Sequence, residues 1–416
     1  MDSTPPPTPN TPPPSPNPPD AGRIAARLDE LWSVAQGPGG GADRPAYSPA
    51  EAAAMRLVAG WAREAGLEPA LDEFGNLWAL PDGEGRPIVT SGSHVDTVPD
   101  GGRYDGALGT VLGLEVAAAL GAGAGLLICA AEEAPRFGAG TMGSRQMVGT
   151  LAERDLAHLH DAAGVSAADA RAAYLDELSD LPRIAPPLDR LRAHAEIHVA
   201  QRRALRTLGV VAAVASPRRF AVRIAGEAGH SGEVSMAERR DALAAAAEVV
   251  LAVEAAARAE PAETVATVGT LAVEPGAVSV IPGRARLAID VRGISSESLA
   301  RVESVIRDAV ADIAARRGVT AELELVRAGE PVAMDTRLVH QALQAAREQG
   351  ISATETWSGA GHDAQHLTAL APALLLFVPL HGGESHTPQE GADMDEILQA
   401  TRVVVAVLGA RLSAPV

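Results

Sequence analysis

The residues of this 416-residue chain best suited to metal or acid–base chemistry are His94, Asp96, Asp105, Glu132, Glu133, His198, His362, Asp363 and His386. Imidazole nitrogens and carboxylate oxygens suit borderline divalent cations, which catalytic sites hold on rigid elements with a position left for water. Two such cations, about 3.5–4 Å apart, need a carboxylate between them. The stretch SHVDTVPDGGRYDG, residues 93–106, offers both donor kinds. His94 can bind one cation, Asp105 can bridge two, and Asp96 can hold the far ring nitrogen of His94. The glycines let the loop turn back closely enough for His94 and Asp105 to meet. In AAEEAPRFG, Glu132 and Glu133 end an apolar run, where paired acids are costly unless bound or shared. One ligand and one general base is the chemical reading of that pair. His386 sits in GGESHTP, another glycine-rich loop after a strand. Of the eleven histidines, His158, His160, His194, His340 and His366 read as surface or hydrogen-bonded side chains without chemistry.

The elements that must position these groups follow from periodicity. AGRIAARLDELWSVAQG and SPAEAAAMRLVAGWAREAGLE have helical spacing, the second with Ser48 as cap and Pro49 in the first turn. LDEFGNLWAL, interrupted by a turn, and GRPIVTSGS read as strands, and the second runs directly into the His94 stretch. GALGTVLGLEVAAALG then reads as a helix, AGLLICAAEE as a buried strand and GTMGSRQMVG as a helix start. This alternation predicts a mostly parallel α/β sheet, in which ligands gather at the carboxyl ends of strands. Both acidic clusters fall there.

From about Gly209 the pattern changes. Strands GVVAAVA, RRFAVRIAGEAG, TVATVGTLAVE, AVSVI, RARLAIDVRG and TAELELVR accompany two helices, one read from Ser235 to Ala259 and one from Ser296 to Arg317. They predict a smaller α+β domain inserted in the larger one, before a helix over 335–349 and the strand ALLLFVPL resume the α/β pattern. The expected division is a Pro-rich disordered tail over 1–20, a first catalytic part over 21–209, an inserted domain over 210–327 and a second catalytic part over 328–416.

Composition limits the function classes. A formal net charge of −18 leaves no basic stripe for nucleic acid. The single cysteine, Cys129, lies in an apolar run and cannot form a disulfide within one chain, which fits a reducing compartment. The tail lacks the basic and apolar regions of a signal peptide. Leu112–Ala131 is broken by Glu115 and glycines and reads as helix plus strand, not as a membrane span. A soluble cytoplasmic protein acting on a small molecule is expected.

Six segments in one order, GSHVDTVPDGGRYDGALG, EEAPRFGAGTMGS, GEAGHSGEVSMAERRDALAAAAEVVLAVE, VSVIPG with DVR, SGAGHDAQHL and FVPLHGGESHTP, resemble the M20-type metallo-amidohydrolases. The likeness is to the N-carbamoyl-L-amino-acid hydrolase and allantoate amidohydrolase group and spans roughly residues 21 to 410. It implies two divalent cations per subunit, with zinc expected and manganese, cobalt or nickel also compatible. His94, Asp105 and His198 would hold one cation, and Asp105, Glu133 and His386 the other. Glu132 would be the general base, and Asp96 would support His94.

The resemblance also implies that the inserted domain is a lid and homodimer contact carrying His230, which would stabilise an oxyanion, and Arg292, which would grip a substrate carboxylate. The alternative for Arg292 is an ion pair with Asp290. Gln201, Ser279, Gly361 and His362 match substrate-contacting positions. The family usually reads His-Ile-Glu-Gln-Gly where this chain has HVAQRR, so Ala200 replaces Glu and Arg202 replaces Gly. Ser279 and Gly229 stand where Asn is common. The implied reaction is hydrolysis of a linear ureido C–N bond, in an N-carbamoyl-L-amino acid or alternatively in allantoate or another ureide or amide. A metal- or ligand-binding protein with little turnover is the alternative outside enzymes.

Overall fold

The computed structural model describes residues 18–83 and 85–413, so most of the expected Pro-rich tail lies outside the described residues. The chain divides into two compact units. The larger comprises the chain up to Val210 with Asp335–Glu355 and His362 onward, and the smaller comprises Val211–Met334 with Thr356–Gly361. The expected return to the larger unit at residue 328 falls at Asp335, because the intervening segment forms a short strand paired within the smaller unit.

The larger unit opens with α1 (Ala21–Trp32) and α2 (Pro49–Glu64), capped by the side chains of Asp20 and Ser48. Then come β1 (Leu67–Leu71), β2 (Leu77–Pro81), β3 (Ile88–Ser91), α3 (Ala107–Leu120), β4 (Ala124–Ile128), the helices α4 (Met142–Met147), α5 (Glu153–Leu156) and α6 (Ala167–Glu177), and β5 (Leu191–Val199). β6 (Leu208–Val214) carries the chain across the boundary between the units.

The smaller unit continues with β7 (Ser216–Ala225), β8 (Gly229–His230), α7 (Ala242–Arg258), β9 (Val265–Glu274), β10 (Val280–Ile281), β11 (Arg284–Gly293), α8 (Ser296–Arg317), β12 (Thr320–Ala328) and β13 (Val332–Ala333). After it come α9 (Thr336–Glu348), β14 (Ala353–Ser358), α10 (Asp363–Leu367), β15 (Ala373–Val378) and α11 (Met394–Ser413). Among the described residues no helix is long and apolar enough to cross a membrane.

In the larger unit the sheet runs β1-β2-β4-β3-β5-β15, followed by the start of β6. The pairs β3/β4, β3/β5 and β5/β15 are parallel, with antiparallel strands at both sides. The parallel middle requires crossovers, and α3 supplies the one between β3 and β4. α3 is buried almost all round, and its closeness to the sheet is enforced by glycine. A Cβ on Gly109 would lie 2.0 Å from the Ile197 carbonyl oxygen, and one on Gly113 would lie 2.7 Å from that of Ser91. Its buried Glu115 is matched by Arg23 Nε at 2.7 Å, Arg27 Nη1 at 3.3 Å and the Asp20 amide at 3.1 Å. α1 is thereby tied to α3.

The smaller unit is a four-stranded antiparallel sheet, β12-β7-β11-β9, with α7 and α8 on one face. β11 alternates buried Ala285, Leu287, Ile289 and Val291 with exposed Arg284, Arg286 and Ala288, the signature of a sheet covered on one side. The core joins these to Phe220, Val222, Ile224, Val249, Val253, Val302 and Ile306. The helix read from Ser235 starts at Ala242, because the Asp241 side chain accepts the amides of Leu243 and Ala244 and so sets the first turn there. The strand read over AVSVI is confined to Val280–Ile281.

Candidate metal centre

At the carboxyl end of β4 the backbone is held by side chains rather than by a neighbouring strand. The amides of four successive residues each donate to a buried acceptor. Ala130 donates to Asn76 Oδ1 at 2.9 Å, Ala131 to Glu51 Oε1 at 2.9 Å, Glu132 to Asp96 Oδ1 at 3.1 Å and Glu133 to Asp96 Oδ2 at 2.8 Å. The carbonyls of Ala130, Ala131 and Glu132 accept from the amides of Gly143, Met142 and Thr141 at the start of α4. This support fixes Ala131 at φ 55°, a left-handed conformation uncommon for a residue with a side chain. The bend aims Glu132 and Glu133 away from the strand. Asn76 is held in turn by Asp72 Oδ2, which also accepts from Trp78 Nε1.

His94 follows β3 and is 1% exposed. Its Nδ1 lies 3.0 Å from the carbonyl oxygen of Asp96 and 3.3 Å from Oδ1 of the same residue, which turns Nε2 inward. Asp96 therefore serves His94 mainly through its main chain and spends its carboxylate on the amides of the glutamate pair. Gly106 makes room for the ring, since a Cβ there would lie 2.4 Å from His94 Cε1. His198, next to last in β5, has Nδ1 3.2 Å from the Val199 carbonyl oxygen and also presents Nε2.

The two rings and Asp105 meet. Asp105 Oδ1 is 3.1 Å from His198 Nε2 and 3.6 Å from His94 Nε2, and the two Nε2 atoms are 3.4 Å apart. Asp105 Oδ2 faces the other way, 3.0 Å from His386 Nε2, which is 3.6 Å from Glu133 Oε1. Within each of two ligand sets, His94–Asp105–His198 and Asp105–Glu133–His386, the donor atoms thus lie within 4.8 Å of one another, and the sets share one carboxylate. Glu132 Oε2 stands 4.0 Å from His94 Nε2. The amide Nε2 of Gln201 lies 3.3 Å from Asp105 Oδ2 and 3.1 Å from His386 Nε2, beside the second set. Three imidazoles, the Glu133 carboxylate and a shared central acid, Asp105, are a donor set that fits two borderline divalent cations.

Charges packed this closely move one another's titration. Burial raises Asp105, but His198, His386 and His94 outweigh it and hold the carboxyl well below the usual range. Burial pushes Glu132 well above the carboxylate range, and burial with the neighbouring Asp105 charge brings Glu133 to about 7. The hydrogen bond to Asp105 raises His386 to about 9. Asp105 is paired here by His94, His198 and His386, a role that bound divalent cations would take over.

Behind His198 lies a layer of which the sequence singled out His362 and Asp363 but not Glu196. His362 is buried, with its ring edge-on to His198 and the centroids 4.5 Å apart. Glu196, His198 and His362 form a third group of converging donors. Glu196 accepts from Ser93 Oγ at 2.7 Å and from the Ala364 amide at 2.8 Å. Asp363, brought to about 8 by burial and the Glu196 charge, accepts from Ser144 Oγ at 2.5 Å. Glu51 and Glu196 each resemble ordinary surface acids in the sequence. Only the apolar residues flanking Glu196 hint at its burial.

In the smaller unit, His230 and Ser279 are exposed neighbours. β8 pairs with β10, and the Ser231 amide donates to the Ser279 carbonyl oxygen at 3.0 Å. Arg292, at the end of β11, has Nε 2.8 Å from Asp290 Oδ2 and donates from Nη1 to the Gly359 carbonyl oxygen at 3.0 Å. The ion pair with Asp290 is therefore formed. Gly361 closes the 356–361 segment of this unit.

Known proteins resemble this chain over nearly its whole length. Residues 91–410 match peptidase family M20/M25/M40. An N-carbamoyl-L-amino-acid amidohydrolase of Pseudomonas sp. (strain NS671) is 33% identical over 408 residues, 92% of this chain and 96% of the relative. An allantoate amidohydrolase of Bacillus subtilis (strain 168) is also 33% identical, over 82% of this chain and 86% of its own. A crystal structure of an amidase of the hydantoinase/carbamoylase family from Burkholderia multivorans superposes with a TM-score of 0.86 at 32% identity, covering 95% of this chain and 99% of that one.

Proposed function

The chain belongs to peptidase family M20/M25/M40, among its amidohydrolases that cleave non-peptide C–N bonds, and on that premise we propose that it hydrolyses the ureido bond of an N-carbamoyl-L-amino acid. The observation that carries the proposal is the pair of ligand sets sharing Asp105, with a histidine, His198, completing the first. M20 enzymes that cleave simple acyl or peptide bonds usually have a carboxylate at that position, so His198 favours the ureido-cleaving group. Family membership sets aside the binding-only alternative.

In this reading His94, Asp105 and His198 hold one cation and Asp105, Glu133 and His386 the second, with zinc as the proposed metal. When bound, the two cations supply Lewis acidity, acidifying water and polarising the ureido carbonyl. Glu132, whose carboxyl is driven up by burial, takes the proton of the attacking water and passes it to the leaving nitrogen. The water oxygen adds to the carbonyl carbon and the C–N bond to the amino acid breaks. A free amino acid and a carbamate result, and the carbamate decomposes to ammonia and carbon dioxide.

Asp96 keeps His94 and both glutamates in place. Gln201, His362, Ser279 and Gly361 are assigned as substrate contacts. The smaller unit is assigned the roles of lid and homodimer surface, with His230 stabilising the oxyanion. Arg292 exchanges its bond to Asp290 for the substrate carboxylate. Allantoate carries the same carboxylate and ureido groups, and the relative of that name is equally similar, so it is the second candidate substrate.

Ammonia release by zinc-reconstituted protein, from N-carbamoyl-L-amino acids, allantoate and N-acetyl amino acids in parallel, tests the reading. Glu132→Gln should keep its metal and lose about 10²–10⁴-fold in turnover. Release from an N-carbamoyl amino acid that this variant abolishes supports the proposal. Release from allantoate alone moves the enzyme to the second substrate, and silence on both ureides refutes the ureido reading.

A further inference from the structure

Glu390 belongs to neither ligand set, yet its carboxylate receives donors from both of the loops that carry Asp105 and His386. Oε2 accepts from the Tyr104 amide at 2.9 Å and the Asp105 amide at 3.2 Å. Oε1 accepts from Ser385 Oγ and from the His386 amide, each at 3.1 Å. The residue is only 7% exposed. Four donors fill most of what one carboxylate can accept, and bonds from amides to an ionised oxygen are the stronger kind. The two pairs of donors come from positions about 280 residues apart in the chain.

Two further features fit the same role. A Cβ on Gly102 would lie 1.8 Å from the Glu390 carboxyl carbon, so the turn before Asp105 is shaped around this side chain. His386 has φ 59°, a conformation that residues with side chains hold only where their surroundings impose it. The hydrogen bond from its amide to Glu390 Oε1 is part of that imposition. Ser385 Oγ lies 3.1 Å from both Glu390 Oε1 and Asp105 Oδ2, which closes the link between the loops.

We propose that Glu390 is a positioning residue that fastens the Asp105 loop to the His386 loop, so that Asp105 Oδ2 and His386 Nε2 converge on one cation. The inference rests on the reading of Asp105 and His386 as ligands. It explains why an acid that touches no ligand atom directly is buried beside an anionic centre: its negative charge is spent on the main chains that carry the ligands.

The test is zinc titration of the chelator-stripped full chain against a competing chelator, for the parent, Glu390→Gln and Gly102→Ala. The first variant turns one acceptor into a donor; the second pushes the carboxylate aside without altering it. The parent should bind two zinc ions. Both variants should keep the far-ultraviolet circular dichroism of the metal-free parent and bind one zinc about 10–100-fold more weakly. Two variants that bind both ions as tightly as the parent overturn the clamp alone. A variant that is unfolded without metal overturns it too, by assigning Glu390 to the fold. A parent that binds fewer than two ions overturns the ligand reading and the clamp with it.

Discussion

Glu51, Asp72, His94, Asp96, Asp105, Glu115, Glu196, His198, His362 and Asp363 are buried in the larger unit, whereas the buried polar side chains described in the smaller unit are the hydroxyls of Thr264, Ser298 and Ser358. The smaller unit keeps its charges on the surface, in pairs such as Arg223–Glu324, over a core of Ala, Val, Leu, Ile and one Phe. An unpaired buried charge costs several kcal/mol, so each one in the larger unit must find a donor. Those donors are largely main-chain amides: Tyr47 and Ala131 for Glu51, Glu132 and Glu133 for Asp96, Tyr104, Asp105 and His386 for Glu390. One interior is thus organised for stability and the other for holding reactive groups at fixed distances.

The contrast can be broken most directly at Asp105. Asp105→Ala removes the one carboxylate common to both ligand sets, so bound zinc should fall below one equivalent and ammonia release by roughly 10³-fold or more. Two zinc ions retained, measured by elemental analysis, would mean that the larger unit's acids are not organised around this residue. The converse change is Leu287→Ala in the smaller unit. It should cost about 2–5 kcal/mol of stability in urea unfolding and leave the zinc content unchanged. A loss of metal instead would erase the division of labour.

His194 makes the larger unit's interior sensitive to pH. It is buried against Thr90, with Nδ1 2.9 Å from the threonine hydroxyl, and burial lowers its pKa to about 3. The unfolded chain binds that proton near pH 6.5 and the folded one does not, so stability from this group is full above that pH and falls as the solution is acidified. Relative to His194→Gln, the parent should lose about 1.4 kcal/mol per pH unit between roughly pH 6 and 3. Parallel pH curves for the two proteins would show that the buried ring is protonated in the fold. The smallest effect belongs to the smaller unit's surface. Arg223 and Glu324 are both more than half exposed, and Arg223→Ala should change stability by less than about 1 kcal/mol, less still at high salt.

The sequence showed those groups that sit in turns. His94, Asp105 and His386 stand among glycines, and Glu132 and Glu133 interrupt an apolar run, so their types and surroundings were visible together. β5 was not recognised, although it carries His198. Along it Ala193, Ala195, Ile197 and Val199 alternate with His194, Glu196 and His198, which looks like a strand with one face in water or no strand at all, yet both faces are buried. Glu51 was hidden for a related reason. An acid in the first turn of a helix is ordinarily explained by the helix dipole, whereas this one reaches out to the Tyr47 and Ala131 amides. Glu390 carries no local signal of its long-range partners. Periodicity reports which face is apolar, and it is silent where the inward face is polar but fully bonded.

The four amides from Ala130 to Glu133 are held through main-chain atoms alone, by Asn76, Glu51 and Asp96. None of those bonds depends on what side chain residues 132 and 133 bear. The bend after β4 is therefore a socket with interchangeable tools. Mutation there can replace the reactive groups while the seat survives, which makes this short stretch a starting point from which the scaffold could acquire new chemistry without first having to refold.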